Sequence, residues 1–368
     1  MLKSVYVAAT SQHVGKTTST LGLVATLRQA GVNVGYCKPV GQQFLDLGNL
    51  RVDKDALLFS SVMDFQLSES LHSPVILGPG ATTAYLDDPS QFNYRERILN
   101  AASELQARHE MVIYEGTGHP GVGSVVDLSN AEVAKLVNAS VVIIVEGGIG
   151  NTIDRLCLAL AKFQQKQVPV IGVIVNKVRP DKLEKVRHYV GMKVEQMGLK
   201  LFGVLPYDKS LSNPIMATIM EAVNGRILYN EQNLDNRVED YVSGSLVDLE
   251  ELNTFRNLLL VVSHKRLLEA ITKIIQIRKV KQMEDPILSG IIITGDGRHE
   301  MPMNHYRILD DYIRRFEIPV ITTPLDTLGS VVKVSRIEVK INTRTPWKSR
   351  RAIELISENV DLSDILGK

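Results

Sequence analysis

Residues 9–18 read Ala9-Thr10-Ser11-Gln12-His13-Val14-Gly15-Lys16-Thr17-Thr18, and they decide the fold class of this chain. The apolar run before them, residues 5–9, predicts a buried strand. The residues after them predict a helix whose apolar face carries Leu21, Leu23, Val24 and Leu27. A strand, a loop that ends in Gly-Lys-Thr and a helix, in this order, predict a loop that binds phosphate groups.

The residue types in this loop suit a nucleotide's phosphates. Backbone N–H groups and the positive end of a helix attract phosphate charge. Gly15 allows close backbone approach, Lys16 can reach the outer phosphates, and the Thr17 hydroxyl can ligate Mg²⁺. The predicted nucleotide contacts within the loop are Gln12, His13, Val14, Gly15, Lys16, Thr17 and Thr18. A chance Gly-Lys-Thr before an ordinary helix is the alternative, and the order of strand, loop and helix disfavours it.

The first position of the usual loop pattern is not met. Thr10 stands five residues before Gly15, where that pattern has glycine. Ala9 stands where a longer version of the loop has glycine. The sequence therefore favours the longer version of the loop.

The composition is that of a globular protein without a strong charge bias. Among 368 residues, 42 basic side chains nearly balance 41 acidic ones, and 44% of residues are hydrophobic. This balance favours neither nucleic acid nor a membrane surface as a partner, and no apolar run predicts a membrane span. The two cysteines are too few for a disulfide framework. Because a strand is predicted from residue 5, leaving no room for a signal peptide, we expect a cytoplasmic protein.

Short apolar runs alternate with helical patterns through the first two thirds of the chain. The predicted strands lie at 5–9, 34–38, 111–114, 141–145, 170–175 and 201–204, and helices are predicted at 131–137 and 154–164. Runs with little polar alternation are typical of strands covered by helices on both faces. We predict an α/β fold with a doubly wound, mostly parallel sheet and ligands at the carboxyl ends of its strands.

The strand and helix alternation lapses near residue 225. We predict a nucleotide-binding domain at 1–224, a linker or docking segment at 225–245, and a second, smaller α/β domain at 246–368. The second domain is predicted from strands at 258–262, 287–294 and 319–322 and from helices at 265–277, 305–316 and 347–359.

Polar side chains at three predicted strand ends can complete a nucleotide site. Glu115 ends a strand and precedes Gly-Thr-Gly, so it is predicted to hold Mg²⁺ or orient water, with a solvated loop residue as the alternative. Lys38 ends another strand and is predicted to stabilise developing charge, with a surface lysine as the alternative. Asn176 follows a third strand, where its amide could contact the base or serve turn chemistry.

A second carboxylate is available just beyond Lys38. Asp53 and Asp55 both precede or begin a helical run, and either could lie near the metal. The spacing of these residues alone does not separate the two.

Taken in order, these segments resemble the dethiobiotin synthetase-like branch of the P-loop NTPases. The matching stretches are the loop at 9–17, Lys38-Pro39-Val40, Asp55-Ala56-Leu57, Glu115-Gly116-Thr117-Gly118, Asn176-Lys177 and Gly203-Val204-Leu205-Pro206. The resemblance covers roughly residues 1–224. It implies ATP and Mg²⁺ as ligands, with Thr17, Asp55 and Glu115 at the metal, Lys16 on phosphate, Lys38 at the reaction centre and Asn176 at adenine. Lys16, Lys38 and Glu115 are thereby the expected catalytic residues.

Stretches 116–130 and 201–216 look like the amino-terminal region of long bacterial phosphotransacetylases. From about residue 245 the chain resembles the DRTGG domain that follows there, best at 293–297 and 318–320, although the eponymous string is absent. We expect the chain to correspond to the regulatory half of those enzymes, without their acyltransferase domain.

Two departures argue against the diamine substrate of biotin synthesis. His13 replaces the acidic residue of the synthetases two positions before the loop glycine, and the residues after Glu115-Gly116 differ from their substrate-side sequence. Three functions stay open, in order of preference: a regulatory ATP-binding protein or slow ATPase that signals through its second domain; an ATP-dependent ligase or synthase that activates a carboxylate or carbamate; and a non-catalytic partner subunit of an acyltransferase or other complex. A homo-oligomer, a protein partner and a small-molecule effector at the second domain are expected by analogy.

Two further stretches have competing interpretations. Residues 330–351 carry seven basic side chains against one acid, Glu338, which predicts a solvated face or, alternatively, a surface for an anionic partner. The glycine-rich turn at 295–299 is predicted to be an ordinary loop, with a second small-ligand site as the alternative.

Overall fold

The structure is a computed structural model that describes residues 1–48, 50–247, 252, 254–295 and 307–368. The chain divides into two compact units. Unit 1 comprises Met1–Asp208 and Ile341–Lys368, and unit 2 comprises Lys209–Lys340.

The central element of unit 1 is a six-stranded sheet in which every neighbouring pair is parallel. Its strand order is β10-β9-β8-β1-β7-β2, and two small sheets pair β3 with β6 and β4 with β5. The strands are β1 Ser4–Ala9, β2 Val34–Cys37, β3 Val40–Gly41, β4 Phe44–Leu47, β5 Leu50–Asp53, β6 Val75–Ile76, β7 Met111–Glu115, β8 Ser140–Glu146, β9 Val170–Val178 and β10 Lys200–Pro206. The predicted doubly wound parallel sheet is confirmed.

Helices cover both faces of this sheet because its strands are apolar on both sides. One core combines Tyr114, Val141 and Ile143 with helices such as α5 and α7, and the other combines Ile113, Val142 and helix α1. The helices of unit 1 are α1 Lys16–Gln29, α2 Lys54–Met63, α3 Glu69–His72, α4 Ala81–Asp87, α5 Tyr94–Arg108, α6 Asn130–Leu136, α7 Gly150–Gln165, α8 Leu183–Gln196, α13 Pro346–Asn359 and α14 Ser363–Leu366.

Unit 2 is a smaller α/β unit with its own core. Its five-stranded sheet has the order β11-β15-β14-β13-β12, with β11 antiparallel to β15 and the other pairs parallel. The strands are β11 Arg226–Tyr229, β12 Asp240–Ser243, β13 Leu258–Ser263, β14 Leu288–Thr294 and β15 Val320–Thr323. The helices are α9 Met216–Ala222, α10 Leu267–Val280, α11 Arg307–Arg315 and α12 Thr327–Ser335.

The observed division differs from the predicted domain boundaries at both ends. Helix α9 belongs to unit 2, where Met216 fills the space that a side chain on Gly290 would need. The predicted linker at 225–245 contains β11 and β12, which are the two edge strands of the second sheet. Edge strands are less buried than central ones, so their polar composition resembles that of a linker.

The carboxyl-terminal helix α13 differs most from its prediction, because the sequence analysis placed it at the end of the second domain. It packs in unit 1 against α1, where an added Cβ on Gly22 would lie 2.4 Å from Ile356 Cγ1 and 2.7 Å from the Ala352 carbonyl oxygen. Arg351 also donates to the Asp208 carboxylate. The buried face of α13 therefore serves the first core.

The basic stretch at 330–351 is not one solvated face. Lys348 is fully buried, and Arg351 forms ion pairs with Asp208 and Glu354. The predicted turn at 295–299 lies outside the described residues beyond Gly295. Among the helices formed by the described residues, none is both long and apolar enough to cross a membrane.

Candidate functional site

The loop between β1 and α1 has the backbone that an anion site needs. Gly15 is the N-cap of α1, its φ of 91° lies in the left-handed region, and no side chain caps the helix. The first N–H groups of an uncapped helix are available to an anion. An added Cβ at Gly15 would lie 2.1 Å from Asn176 Nδ2, so only glycine fits. The backbone of the loop is therefore compatible with an anion, and the contacts of its residues with phosphate stay a prediction.

The side chains of the first two residues of α1 contact β7, which neighbours β1 in the sheet, and the turn that follows β7. Lys16 Nζ donates to the Gly118 carbonyl oxygen at 3.2 Å, and Thr17 Oγ1 donates to Glu115 Oε1 at 2.8 Å. Since β7 pairs with β1, Glu115 emerges at the same sheet edge as the loop. The hydroxyl proton of Thr17 is committed to Glu115, while its oxygen lone pairs stay available to a metal.

Glu115 is fully buried and accepts from three side chains. Besides Thr17, Tyr36 Oη donates to Glu115 Oε2 at 3.0 Å, and Lys38 Nζ lies 3.2 Å from Glu115 Oε1. Tyr36 is itself fixed by a stacked Phe59 ring, with centroids 3.6 Å apart. Three donors and full burial orient this carboxylate and remove it from water. The alternative, that Glu115 is a solvated loop residue, does not hold.

Lys38 links two carboxylates. Its ammonium group bonds Asp55 Oδ2 as well as Glu115, and the exposed fractions of the Lys38, Glu115 and Asp55 side chains are 6%, 0% and 22%. The surface-lysine alternative therefore does not hold.

The structure also separates the roles of the two aspartates. Asp53 is the N-cap of α2, where its Oδ1 accepts from the Asp55 backbone N–H at 2.9 Å. Its own N–H donates to Ser73 Oγ at 3.1 Å. Asp55 contacts Lys38 directly, so Asp53 orients the residue that carries the contact.

Burial and charge oppose each other in this cluster. Burial raises the pKa of Glu115, and the nearby Lys38 counteracts part of that effect. Burial likewise raises the pKa of Asp53. For Lys38, burial alone would lower the pKa, but the carboxylates of Asp55, Glu115 and Asp53 outweigh it and raise the pKa above its ordinary value. Lys38 therefore stays charged.

The side chains of Asn176 and Lys177, near the end of β9, donate hydrogen bonds to backbone carbonyl oxygens of the phosphate-binding loop. Asn176 Nδ2 donates to the Val14 carbonyl oxygen at 2.8 Å, and its Oδ1 accepts from the Lys177 backbone N–H at 2.8 Å. Lys177 Nζ donates to the His13 carbonyl oxygen. Asn176 thus supports the loop in this structure, and its predicted contact with adenine stays a prediction.

The turn after Glu115 is fixed by Asn130, the first residue of α6. Asn130 Nδ2 donates to the carbonyl oxygens of Thr117 and His119, and its Oδ1 accepts from the Thr117 N–H and from Tyr6 Oη at 2.8 Å. This turn carries the Gly118 carbonyl that receives Lys16. Asn130 therefore acts on the loop through the turn.

The remaining predicted loop residues have different surroundings. Gln12 and His13 are exposed, Val14 is buried and Thr18 is half-buried at the start of α1. Sequence reasoning assigned no role to Tyr36, Asn130 or Lys177. Tyr36 could have been found from strand alternation, since it is two residues before Lys38 and shares its face. Asn130 carried no comparable signal, because its partners are set by the tertiary fold.

The donor set suits Mg²⁺ completed by a nucleotide. Within the described ranges, no cluster of three or more His, Cys, Asp or Glu side chains is arranged to hold a metal. Mg²⁺ is usually held by one or two carboxylates, phosphate oxygens and waters. Thr17, Asp55 and Glu115 supply hard oxygen ligands of this kind and lie in one connected network. The residues present therefore fit a Mg²⁺ ion that is held together with phosphate oxygens.

The parallel sheet, the glycine-capped loop and the buried acid on the adjacent strand define a P-loop NTPase. The chain belongs to the AAA_26 family, whose model, described as an AAA domain, matches residues 3–215. Membership of a P-loop NTPase family implies nucleotide binding, typically with Mg²⁺.

Three relatives illustrate the range of similar proteins. A phosphate acetyltransferase of Synechocystis is 22% identical over 379 residues, which cover 100% of this chain and 52% of the relative. An ATP-dependent dethiobiotin synthetase of Nitrosopumilus maritimus is 25% identical over 222 residues, covering 60% of this chain and 96% of the relative. A probable cobyric acid synthase of Methanocaldococcus jannaschii is 25% identical over 239 residues, covering 58% and 47%.

The first of these similarities includes unit 2, whereas the synthetase similarity does not span the whole chain. The chain spans about half the length of the phosphate acetyltransferases that it matches along nearly its whole length, 52% and 51% of two of them. The predicted resemblance to synthetase-like P-loop NTPases and to phosphotransacetylases is confirmed. The DRTGG assignment of the second unit stays a prediction.

Proposed function

We propose that this chain binds ATP with Mg²⁺ at residues 9–18 and is a regulatory module that hydrolyses ATP slowly, with unit 2 responding to the bound nucleotide. The observation that carries the binding proposal is the buried network of Thr17, Glu115, Lys38 and Asp55. Buried charges are expensive to desolvate and their pairing often fails to offset that cost, so we take this network as a binding site rather than as a source of stability.

Each residue in the network has an assigned role. Lys16 and the first N–H groups of α1 bind the β- and γ-phosphates. Thr17, Asp55 and Glu115 hold Mg²⁺, which neutralises phosphate charge when bound. Lys38 supplies positive charge where it develops on the transferred or released phosphate. Asn176 is assigned to the adenine ring through the amide hydrogen that Val14 does not use.

Regulation is preferred over synthesis for two reasons. The similarity to the phosphate acetyltransferase extends over the whole chain and therefore includes unit 2. The similarity to the dethiobiotin synthetase covers 96% of that relative but only 60% of this chain. Residues 124–130, which would have to line a pocket for a second substrate, contain no lysine or arginine for an acidic substrate. Unit 2 would then bind a small effector as a DRTGG-like domain, in a homo-oligomer or with a protein partner.

An ATP-dependent synthase is the second candidate. Dethiobiotin synthetase and cobyric acid synthase are among the relatives, and in this interpretation Lys38 would supply positive charge to a phosphorylated carboxylate or carbamate. A non-catalytic subunit is disfavoured because Lys16, Thr17 and Glu115 are all present and connected.

Phosphate release from ATP with Mg²⁺ tests the proposal. We expect slow hydrolysis by the wild type, unchanged by Lys54→Met, which alters an exposed lysine beside the site, and abolished by Lys16→Ala. Turnover that depends on added carboxylate or amine with bicarbonate would instead select the synthase. Absence of both ATP and GTP binding would overturn the two functions together.

A further inference from the structure

The same atoms that should ligate a divalent cation already hold a positive charge. Lys38 Nζ contacts Asp55 Oδ2 and lies 3.2 Å from Glu115 Oε1, the oxygen that also accepts from Thr17. A magnesium ion on Thr17, Asp55 and Glu115 would need each oxygen within about 2.1 Å. The ammonium group and the metal cannot occupy this position together.

We propose that Lys38 closes the divalent cation site while no nucleotide is bound, and that Mg²⁺ enters only when phosphate draws the ammonium group away. This inference rests on the proposed function, since it concerns the order in which the same site is filled.

The burial of the site favours this exchange. Glu115 and Lys38 are buried and Asp55 is mostly so, which leaves little water to screen two cations held side by side. The described charges around Lys38 are the carboxylates of Asp53, Asp55 and Glu115, and Lys16 lies near Glu115. The three carboxylates match Lys38 and Mg²⁺ in net charge, so the exchange follows from two cations that compete for the same oxygens of Asp55 and Glu115.

The lysine can move without a change in the fold. Its backbone N–H donates to the His72 carbonyl oxygen at 2.9 Å, which fixes the end of β2. The side chain has four rotatable bonds beyond that anchor. An incoming phosphate offers a new negative partner for the ammonium group, so Lys38 changes partners while its main chain stays in place.

The consequence is an ordered site. Free Mg²⁺ should bind the nucleotide-free chain poorly, because it must displace Lys38 into a position without a partner. Nucleotide with its metal should bind readily, because phosphate provides that partner.

Mn²⁺ binding without nucleotide, followed by the electron paramagnetic resonance signal of free Mn²⁺, tests the exchange. We expect Lys38→Met to bind Mn²⁺ about tenfold or more tightly than the wild type, since a like charge has been removed from the site. Lys38→Arg, which keeps the charge, and Lys54→Met, which removes an exposed charge nearby, should both behave as the wild type. Equal Mn²⁺ affinity of Lys38→Met and wild type would overturn the proposal.

A measurement on the wild type covers the case in which Lys38→Met does not fold. With ¹⁵N-labelled lysine, the Lys38 ammonium protons should exchange slowly without nucleotide, and Mg²⁺ with a non-hydrolysable ATP analogue should change their signal. Release of Lys38 by Mg²⁺ alone, or an unchanged signal with the bound analogue, would overturn the exchange. Failure of the analogue to bind at all would instead count against the proposed function.

Discussion

The Tyr36 hydroxyl donates to Glu115 Oε2 across 3.0 Å, from a strand that pairs directly with the strand of Glu115. The other oxygen of Glu115 accepts from Thr17 on α1. One buried carboxylate therefore connects β2, β7 and the helix that follows the phosphate-binding loop. The orientation of this carboxylate depends on a tyrosine that does not need to touch nucleotide.

Replacing Tyr36 by Phe should isolate that contribution. The ring would keep its stacking on Phe59, while Glu115 would lose one donor to a buried charged oxygen, which costs about 1–3 kcal/mol. We expect urea unfolding to show that loss, together with weaker Mg²⁺-dependent ATP binding. Phe59→Leu, which weakens the stacking and keeps the hydroxyl, is the control. An unchanged free energy of unfolding in Tyr36→Phe would show that the hydrogen bond contributes nothing.

His72 predicts a pH dependence of stability. Burial lowers the pKa of His72 from 6.5 to about 4, so the unfolded chain binds a proton that the folded chain excludes between these values. The stabilising effect of neutral His72 is present above pH 6.5 and is lost as the pH falls through about 4. The loss should be on the order of 2 kcal/mol, reduced by the incomplete burial of the ring.

The free energy of unfolding of the wild type and of His72→Phe, measured between pH 4.5 and 7, tests this loss of stability. Phe can stack on Phe65 as His72 does but cannot ionise, so the stability difference between the two proteins should change with pH. A difference that stays constant over this range would contradict the assignment.

Close packing of α1 on α13 gives a third prediction. Gly22→Ala places a methyl group 2.4 Å from Ile356 Cγ1, and overpacking of this kind costs about 1–3 kcal/mol. Gly150→Ala is the matched control, since nothing lies within 4 Å of the added Cβ at the start of α7. Chemical denaturation should show a lower midpoint for Gly22→Ala alone. Equal midpoints would mean that the two helices can separate at no cost.

The main sheet and the loop were predictable because local patterns determine them. In a chain that alternates strands and helices, an apolar run such as that of β8 indicates a buried strand. Gly15-Lys16-Thr17 marks the start of helix α1. Lys38 and Glu115 were predicted to lie near the loop because the carboxyl ends of parallel strands share one sheet edge, whereas Asp55 was chosen over Asp53 only through the family resemblance.

What could not be predicted depends on contacts that are distant in sequence. Helix α13 carries apolar residues that could fill either core, and only the fit of Ala352 and Ile356 on Gly22 assigns it to unit 1. Asp53 and Asp55 looked equivalent until the cap geometry separated them. The strand position of Asn176 left base contact and turn chemistry open, and the hydrogen bond from its amide to the Val14 carbonyl oxygen depends on the tertiary fold.

Equilibrium binding of ATP is the most direct test of the central claim that residues 9–18 and Glu115 form a Mg²⁺-nucleotide site. Calorimetric titration should show ATP binding to the wild type with Mg²⁺, weaker binding with chelator, and affinity lowered about 10- to 100-fold in Lys16→Ala, the range expected for a lost charge-assisted hydrogen bond. Equal affinity of wild type and Lys16→Ala for ATP in the presence of Mg²⁺ would contradict the account.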